Sequence, residues 1–130
     1  MIILPAIDII DGKPVRLYQG DYNKKEIVAD DIFETAKSFE EKGAEYVHLV
    51  DLDGAKSGSS QNHELVIKVA KELNIPVELG GGIRSFDTIK YLLDNGVSRV
   101  ILGTSAMEDE ELLKRAVGTY GEKVAVGIDC

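Results

Sequence analysis

Cysteine is almost missing from this sequence: Cys130 is the only one, at the last position. An internal disulfide and a cysteine metal cluster are thereby excluded, and with no histidine beside it in sequence Cys130 is not a candidate nucleophile. Long hydrophobic runs are missing too. None approaches the roughly 18 residues that a membrane span needs, and residues 1–10 lack the basic start and small-residue cleavage site of a secretion signal. The expectation is a cytoplasmic protein without a membrane partner. Basic charge is scarce, 15 Lys and Arg against 23 Asp and Glu, for a net charge of −8. That balance argues against nucleic acid as a partner, while a local basic group can still take an anion. Low-complexity tracts and linkers are also lacking, so residues 1–130 read as one domain.

What is present is the composition of a folding chain, 44% hydrophobic and 29% charged. A domain of this length buries roughly two-thirds of its unfolded surface. Ile2-Ile3-Leu4-Pro5-Ala6-Ile7 reads as a buried strand ending at Asp8. Four more follow: Tyr46 to Val50 before Asp51-Leu52-Asp53, Ile75 to Leu79 before Gly80-Gly81-Gly82, Arg99 to Leu102 before Gly103-Thr104, and Val124 to Ile128 before Asp129. Between them lie four amphipathic helical patterns. The first starts after Asp30-Asp31 and stops at Gly43; the second centres on Leu65 to Leu73; the third runs from Ser85 to Gly96; the fourth carries Leu112 to Val117 before Gly118. The order βαβαβαβαβ predicts an α/β fold with a parallel sheet and helices outside it, as a barrel or an open sheet. The long first connection, residues 12–29, predicts a small hairpin around Val15-Arg16-Leu17, and loops of this length commonly bind ligands.

In parallel α/β folds ligands gather at the C-terminal strand ends. Gly80-Gly81-Gly82 leads to a helix capped by Ser85, an arrangement that offers backbone N–H groups to an anion. Gly103-Thr104-Ser105 repeats it one unit later with added hydroxyls, and the pair together points to a shared phosphate site. Asp8 and Asp129 stand at strand ends where two carboxylates can divide base and acid roles; an isolated aspartate there also serves as a loop cap or ion-pair partner. Asp51 and Asp53 read as solvated loop residues in preference to catalytic ones. His48 is equally a hydrogen-bonded core residue or a substrate contact, His63 is a helix-start residue, and no histidine spacing suggests a metal. Arg16, in the long first loop, reads either as a group that closes over an anion or as a solvated loop arginine.

As a set, Leu4-Pro5-Ala6-Ile7-Asp8, Val15-Arg16-Leu17 with Gln19-Gly20-Asp21-Tyr22, His48-Leu49-Val50-Asp51-Leu52-Asp53-Gly54-Ala55, Asn62-His63-Glu64, Glu78-Leu79-Gly80-Gly81-Gly82-Ile83-Arg84 and Val126-Gly127-Ile128-Asp129 resemble the phosphoribosylformimino-5-aminoimidazole carboxamide ribotide isomerase family of histidine biosynthesis. The family is a (βα)8 TIM barrel, and the resemblance covers this whole chain but only the first half of the family plus strand five. It implies a (βα)4 half-barrel with a fifth strand. It implies an Amadori rearrangement of an N-linked aldose phosphate to an aminoketose, with no metal and no organic cofactor. By resemblance Asp8 matches the general base and Asp129 the general acid, Gly81, Gly82, Gly103 and Thr104 match one of two phosphate sites, and Arg16 matches a substrate contact in the first loop. The sister cyclase of imidazole glycerol phosphate synthase shares both aspartates but typically carries Lys where this chain has Arg16, which favours the isomerase. Strands six to eight and the second phosphate site are not among these residues. The chain is therefore expected to be a poorly active portion of the isomerase, or a phosphate-binding half-barrel that self-associates through exposed strand edges or pairs with a complementary half. In a two-fold pairing of such units strand five would be redundant, and so displaced, swapped or disordered.

Overall fold

The computed structural model describes residues 1–18, 21–27, 31–58 and 61–128, with the backbone alone for 16–18 and 21–27. In chain order the elements are β1 (Ala6–Ile10), β2 (Lys13–Tyr18), β3 (Asp21–Ile27), α1 (Ile32–Glu41), β4 (Val47–Asp51), α2 (Leu52–Ser57), α3 (His63–Glu72), β5 (Val77–Gly80), α4 (Phe86–Asp94), β6 (Arg99–Leu102), α5 (Thr104–Glu108), α6 (Glu110–Tyr120) and, after a single 3-10 turn, β7 (Val124–Val126). One sheet holds all seven strands in the order β3-β2-β1-β4-β5-β6-β7. Strands β1, β4, β5, β6 and β7 run parallel, each paired with the next. This is the expected α/β half-barrel arrangement of four βα units and a fifth strand, and β2 with β3 forms the expected hairpin.

The two faces of the sheet follow from strand alternation. Ile7, Ile9, Val47, Leu49, Val77, Leu79, Val100 and Leu102 point outward, all 3% exposed or less. The helices meet them with residues at helical spacing: Ile32 and Ala36 of α1, Val66 and Val69 of α3, Ile89 and Leu92 of α4, Leu112 and Ala116 of α6. Full burial of side chains of this size contributes about 2 kcal/mol each, so the outer layer holds the fold. Side-chain caps start α1, α4 and α6. Asp31 accepts hydrogen bonds from the N–H groups of Phe33 and Glu34, Ser85 from Thr88 and Asp109 from Leu112.

The inner face carries two rungs of neighbouring residues. Ala6, His48, Glu78 and Arg99 form the lower one; Asp8, Val50, Gly80, Ile101 and Ala125 form the upper one.

Several boundaries differ from those read in the sequence. The first strand begins at Ala6 and continues to Ile10, because β4 offers pairing only from the level of Pro5 upward and β2 folds back to pair with Asp8 through Ile10. Ile2 and Ile3, placed in that strand from their apolar character, are 59% and 70% exposed. The edge of β1 beside Asp8 is thus covered by β2, and the outer strands of the sheet are β3 and β7. The last helix runs through Gly118 to Tyr120 and stops at Gly121, whose φ of 57° breaks it. The short helices α2 and α5 have no counterpart in the sequence patterning, since five or six residues are too few to display a helical period. Strand β7 pairs with β6 in register, Leu102 opposite Val126. Among the described residues no helix is long and apolar enough to cross a membrane.

Candidate functional site

The glycine turn between β5 and α4 is shaped by what lies behind it. Gly81 and Gly82 have φ of 105° and 72°. A Cβ at Gly81 would stand 2.3 Å from the Asp51 carbonyl oxygen, and one at Gly82 would stand 2.4 Å from that of Gly54. Glycine is therefore demanded by the left-handed backbone and by close packing of the β4–α2 loop, whatever the turn binds. Gly103 differs, because no atom lies within 4 Å of its would-be Cβ. The space it leaves open belongs to a cleft of about 130 Å³ lined by Gly81, Gly82, Arg84, Gly103 and Thr104. The sequence-read phosphate residues are thus brought to one cleft. Arg84, which spacing alone did not single out, adds a guanidinium, 42% exposed and paired at 3.4 Å with Glu108. Ser105, read as a second hydroxyl for the site, is used internally: its Oγ donates to the Ile83 carbonyl at 2.8 Å and is buried.

Asp8 sits half-buried on the inner face, on the rung of Val50, Gly80 and Ile101. It is within β1 and not at its tip, because the hairpin extends the strand past it. Burial pushes its carboxyl above the ordinary aspartate value, and the nearby His48 charge opposes that in part. Three strand spacings of about 4.8 Å separate it from Ile101 beside the cleft, roughly 14 Å along the sheet.

His48 lies one rung lower. Its Nδ1 is 2.7 Å from Glu78 Oε1, an ion-pair contact out of line for a hydrogen bond, and a quarter of its side chain remains exposed. Glu78 in turn accepts from Arg99 Nε at 2.6 Å and pairs with Arg99 Nη2, whose guanidinium lies over the Tyr46 ring. Neither Glu78 nor Arg99 was named from the sequence as a site residue. The available signal was a charged residue at an inner position of each of two otherwise apolar short strands.

Asp51 is not solvated. It is fully buried at the end of β4, and its carboxylate accepts from the N–H groups of Gly54, Gln61 and Asn62 and from Asn62 Nδ2. Burial alone raises its pKa, and these hydrogen bonds outweigh that to leave it below the ordinary value. Asp53 accepts from the Asp11 N–H at 2.8 Å and from Asn62 Nδ2 at 3.0 Å. His63 begins α3 as read, its ring packed at 6.2 Å from that of Tyr91; burial lowers its pKa against the pull of Asp51 and Glu64. Arg16 occupies β2 opposite Glu26, with its side chain outside the described residues. Asp129 and Cys130 lie outside them altogether.

Comparison with known proteins follows the same lines. A family model described as "Histidine biosynthesis protein" matches residues 2–130. A Clostridium beijerinckii protein named 1-(5-phosphoribosyl)-5-((5-phosphoribosylamino)methylideneamino) imidazole-4-carboxamide isomerase is 86% identical over 130 residues, all of this chain and 54% of that protein. Proteins of the same name from Clostridium botulinum and Clostridium novyi are 68% and 57% identical, over 100% and 99% of this chain and 55% and 54% of their own lengths. The chain spans about half the length of the curated relatives it matches.

Proposed function

The chain belongs to the histidine biosynthesis protein family, and we propose from that premise that it is the first-half portion of a sugar-phosphate isomerase catalysing an Amadori rearrangement. The observation that carries the reading is that Asp8 stands on the same rung of the sheet as Ile101, which lines the Gly81-Gly82/Gly103-Thr104 cleft. In the reaction an N-linked aldose phosphate opens its ring and becomes an aminoketose; C2 is oxidised and C1 reduced within one molecule, so no external oxidant or cofactor is consumed. Asp8 is the base that takes the C2 proton. Its raised pKa suits that task, because a base nearer neutrality holds a proton more strongly once it has taken it. Asp129 is the acid that protonates the ring oxygen as it leaves, Arg16 contacts the substrate from the hairpin, and His48 supports the charge near Asp8.

The separation of two to three strand spacings between Asp8 and the cleft, roughly 10–14 Å along the sheet, has a chemical meaning in this reading. The phosphate of the ring being opened is only a few bonds from its C2 and does not span that distance. The phosphate held by this chain is then the one on the far, unreacting end of a substrate phosphorylated at both ends. Gripping one end positions the reacting carbon loosely, so turnover by these residues alone is low. The test is an isomerase assay of the chain against Asp8→Asn. Activity that survives the substitution unchanged overturns the role of Asp8.

We further propose that these residues associate with a second copy or with a complementary half. Strand β7 is an outer strand of the sheet, and Ile2, Ile3, Val126 and Ile128 are large apolar residues 43% exposed or more. Light-scattering mass in solution tests it; a strictly monomeric chain at high concentration, unchanged by an added complementary half, refutes it.

A further inference from the structure

The motif Asn62-His63-Glu64 has no part in the chemistry above, yet Asn62 sits at a junction. It occupies the N-cap position of α3 without using its side chain as a cap. Its Nδ2 instead donates to Asp51 Oδ1 at 2.7 Å and to Asp53 Oδ2 at 3.0 Å, standing between two carboxylates that would otherwise repel. From there the connections run in two directions. Asp53 Oδ2 also accepts from the Asp11 N–H at 2.8 Å, and Asp11, at φ 52°, is the turn residue that ends β1 three positions after Asp8. Asp51 Oδ1 also accepts from the Gly54 N–H at 2.9 Å, and the carbonyls of Asp51 and Gly54 are the surfaces against which Gly81 and Gly82, in that order, pack without room for a Cβ.

We propose that Asn62 is a positioning residue that locks the turn after β1 to the phosphate-binding glycine turn after β5, and so sets the cleft relative to the strand that carries Asp8. The proposal rests on the reading of that cleft as a phosphate site. Asn62 bridges the two carboxylates because an amide offers two protons from one nitrogen, whereas a hydroxyl offers one and a carboxylate none.

The test uses this chain, inorganic phosphate as the probe, and backbone amide spectra. Asn62→Asp keeps the shape and removes both donors; Asn62→Ala removes them without adding charge and serves if the first variant does not fold. Two results are expected. The amide resonances of Gly81, Gly82 and Asp11 shift in the unliganded variants while those of β7 stay, and phosphate affinity, corrected for the folded fraction, falls about tenfold. Pairing Asn62→Asp with Asp53→Asn restores the amide–carboxylate bond to position 53 but leaves Asp51 facing a carboxylate, and should recover only part of the lost affinity. A residue that only stabilised α3 would lower the unfolding midpoint and leave the affinity of the folded protein unchanged, and that result overturns the proposal, as do unmoved resonances at Gly81 and Gly82. A wild-type chain that binds no phosphate overturns the cleft reading instead, and the amide shifts then decide the coupling by themselves.

Discussion

The α-carbon of Gly81 lies so close to Asp51 that a Cβ would stand 2.3 Å from the aspartate's carbonyl oxygen. Behind this glycine turn there is backbone, not side chain, and backbone cannot rotate away. Gly81→Ala should therefore cost about 3–4 kcal/mol of stability in chemical denaturation. Gly103→Ala, facing open space, should cost about 1 kcal/mol or less while weakening phosphate about tenfold. Equal stability losses at the two positions would refute the separation of scaffold glycine from ligand-facing glycine.

Asp51→Asn should be strongly destabilising, by about 3 kcal/mol, because buried N–H donors would then face an amide that satisfies fewer of them. The pH dependence has a definite sign. The Asp51 carboxyl is held below its ordinary value when folded, so it adds stability above the usual carboxylate range and that stability drains away as the pH falls below it. Acid titration of the unfolding midpoint should show a loss in the wild type that is reduced in Asp51→Asn.

Asp8 has the opposite sign. Its pKa is raised in the fold, so the folded state holds the proton more readily, and the charged carboxylate costs stability as the pH rises past the ordinary aspartate value. Asp8→Asn should raise the unfolding midpoint at neutral pH and lower any isomerase turnover by about 10²–10⁴-fold. A gain in stability beside a loss of activity is what a residue retained for chemistry shows; a loss of both would mark Asp8 as structural.

The inner row makes a further prediction. Glu78→Gln leaves Arg99 and His48 without their shared anion and should cost about 3 kcal/mol. Glu78→Leu combined with Arg99→Leu removes both charges and should recover most of that loss by thermal unfolding. A double variant as unstable as the single one would show that the pair contributes packing and not charge compensation.

The element types and their order were legible in the residues themselves. Apolar runs such as Val47 to Val50 and helical spacings such as Ile89, Leu92 and Leu93 record burial on one side of a sheet, and burial is a local demand on each residue. The glycine turn after β5 was legible as a turn because its left-handed backbone requires glycine, whereas Asp8, read at a strand tip, lies inside β1. What tertiary structure decided was partnership. The start of β1 at Ala6 depends on where β4 begins, and the burial of Asp51 depends on Gln61 and Asn62 ten and eleven residues away. The pairing of Glu78 with His48 and Arg99 depends on the register of three strands. A residue's type reveals whether it seeks water or shelter; only the register and the loop paths determine which neighbour meets its charge.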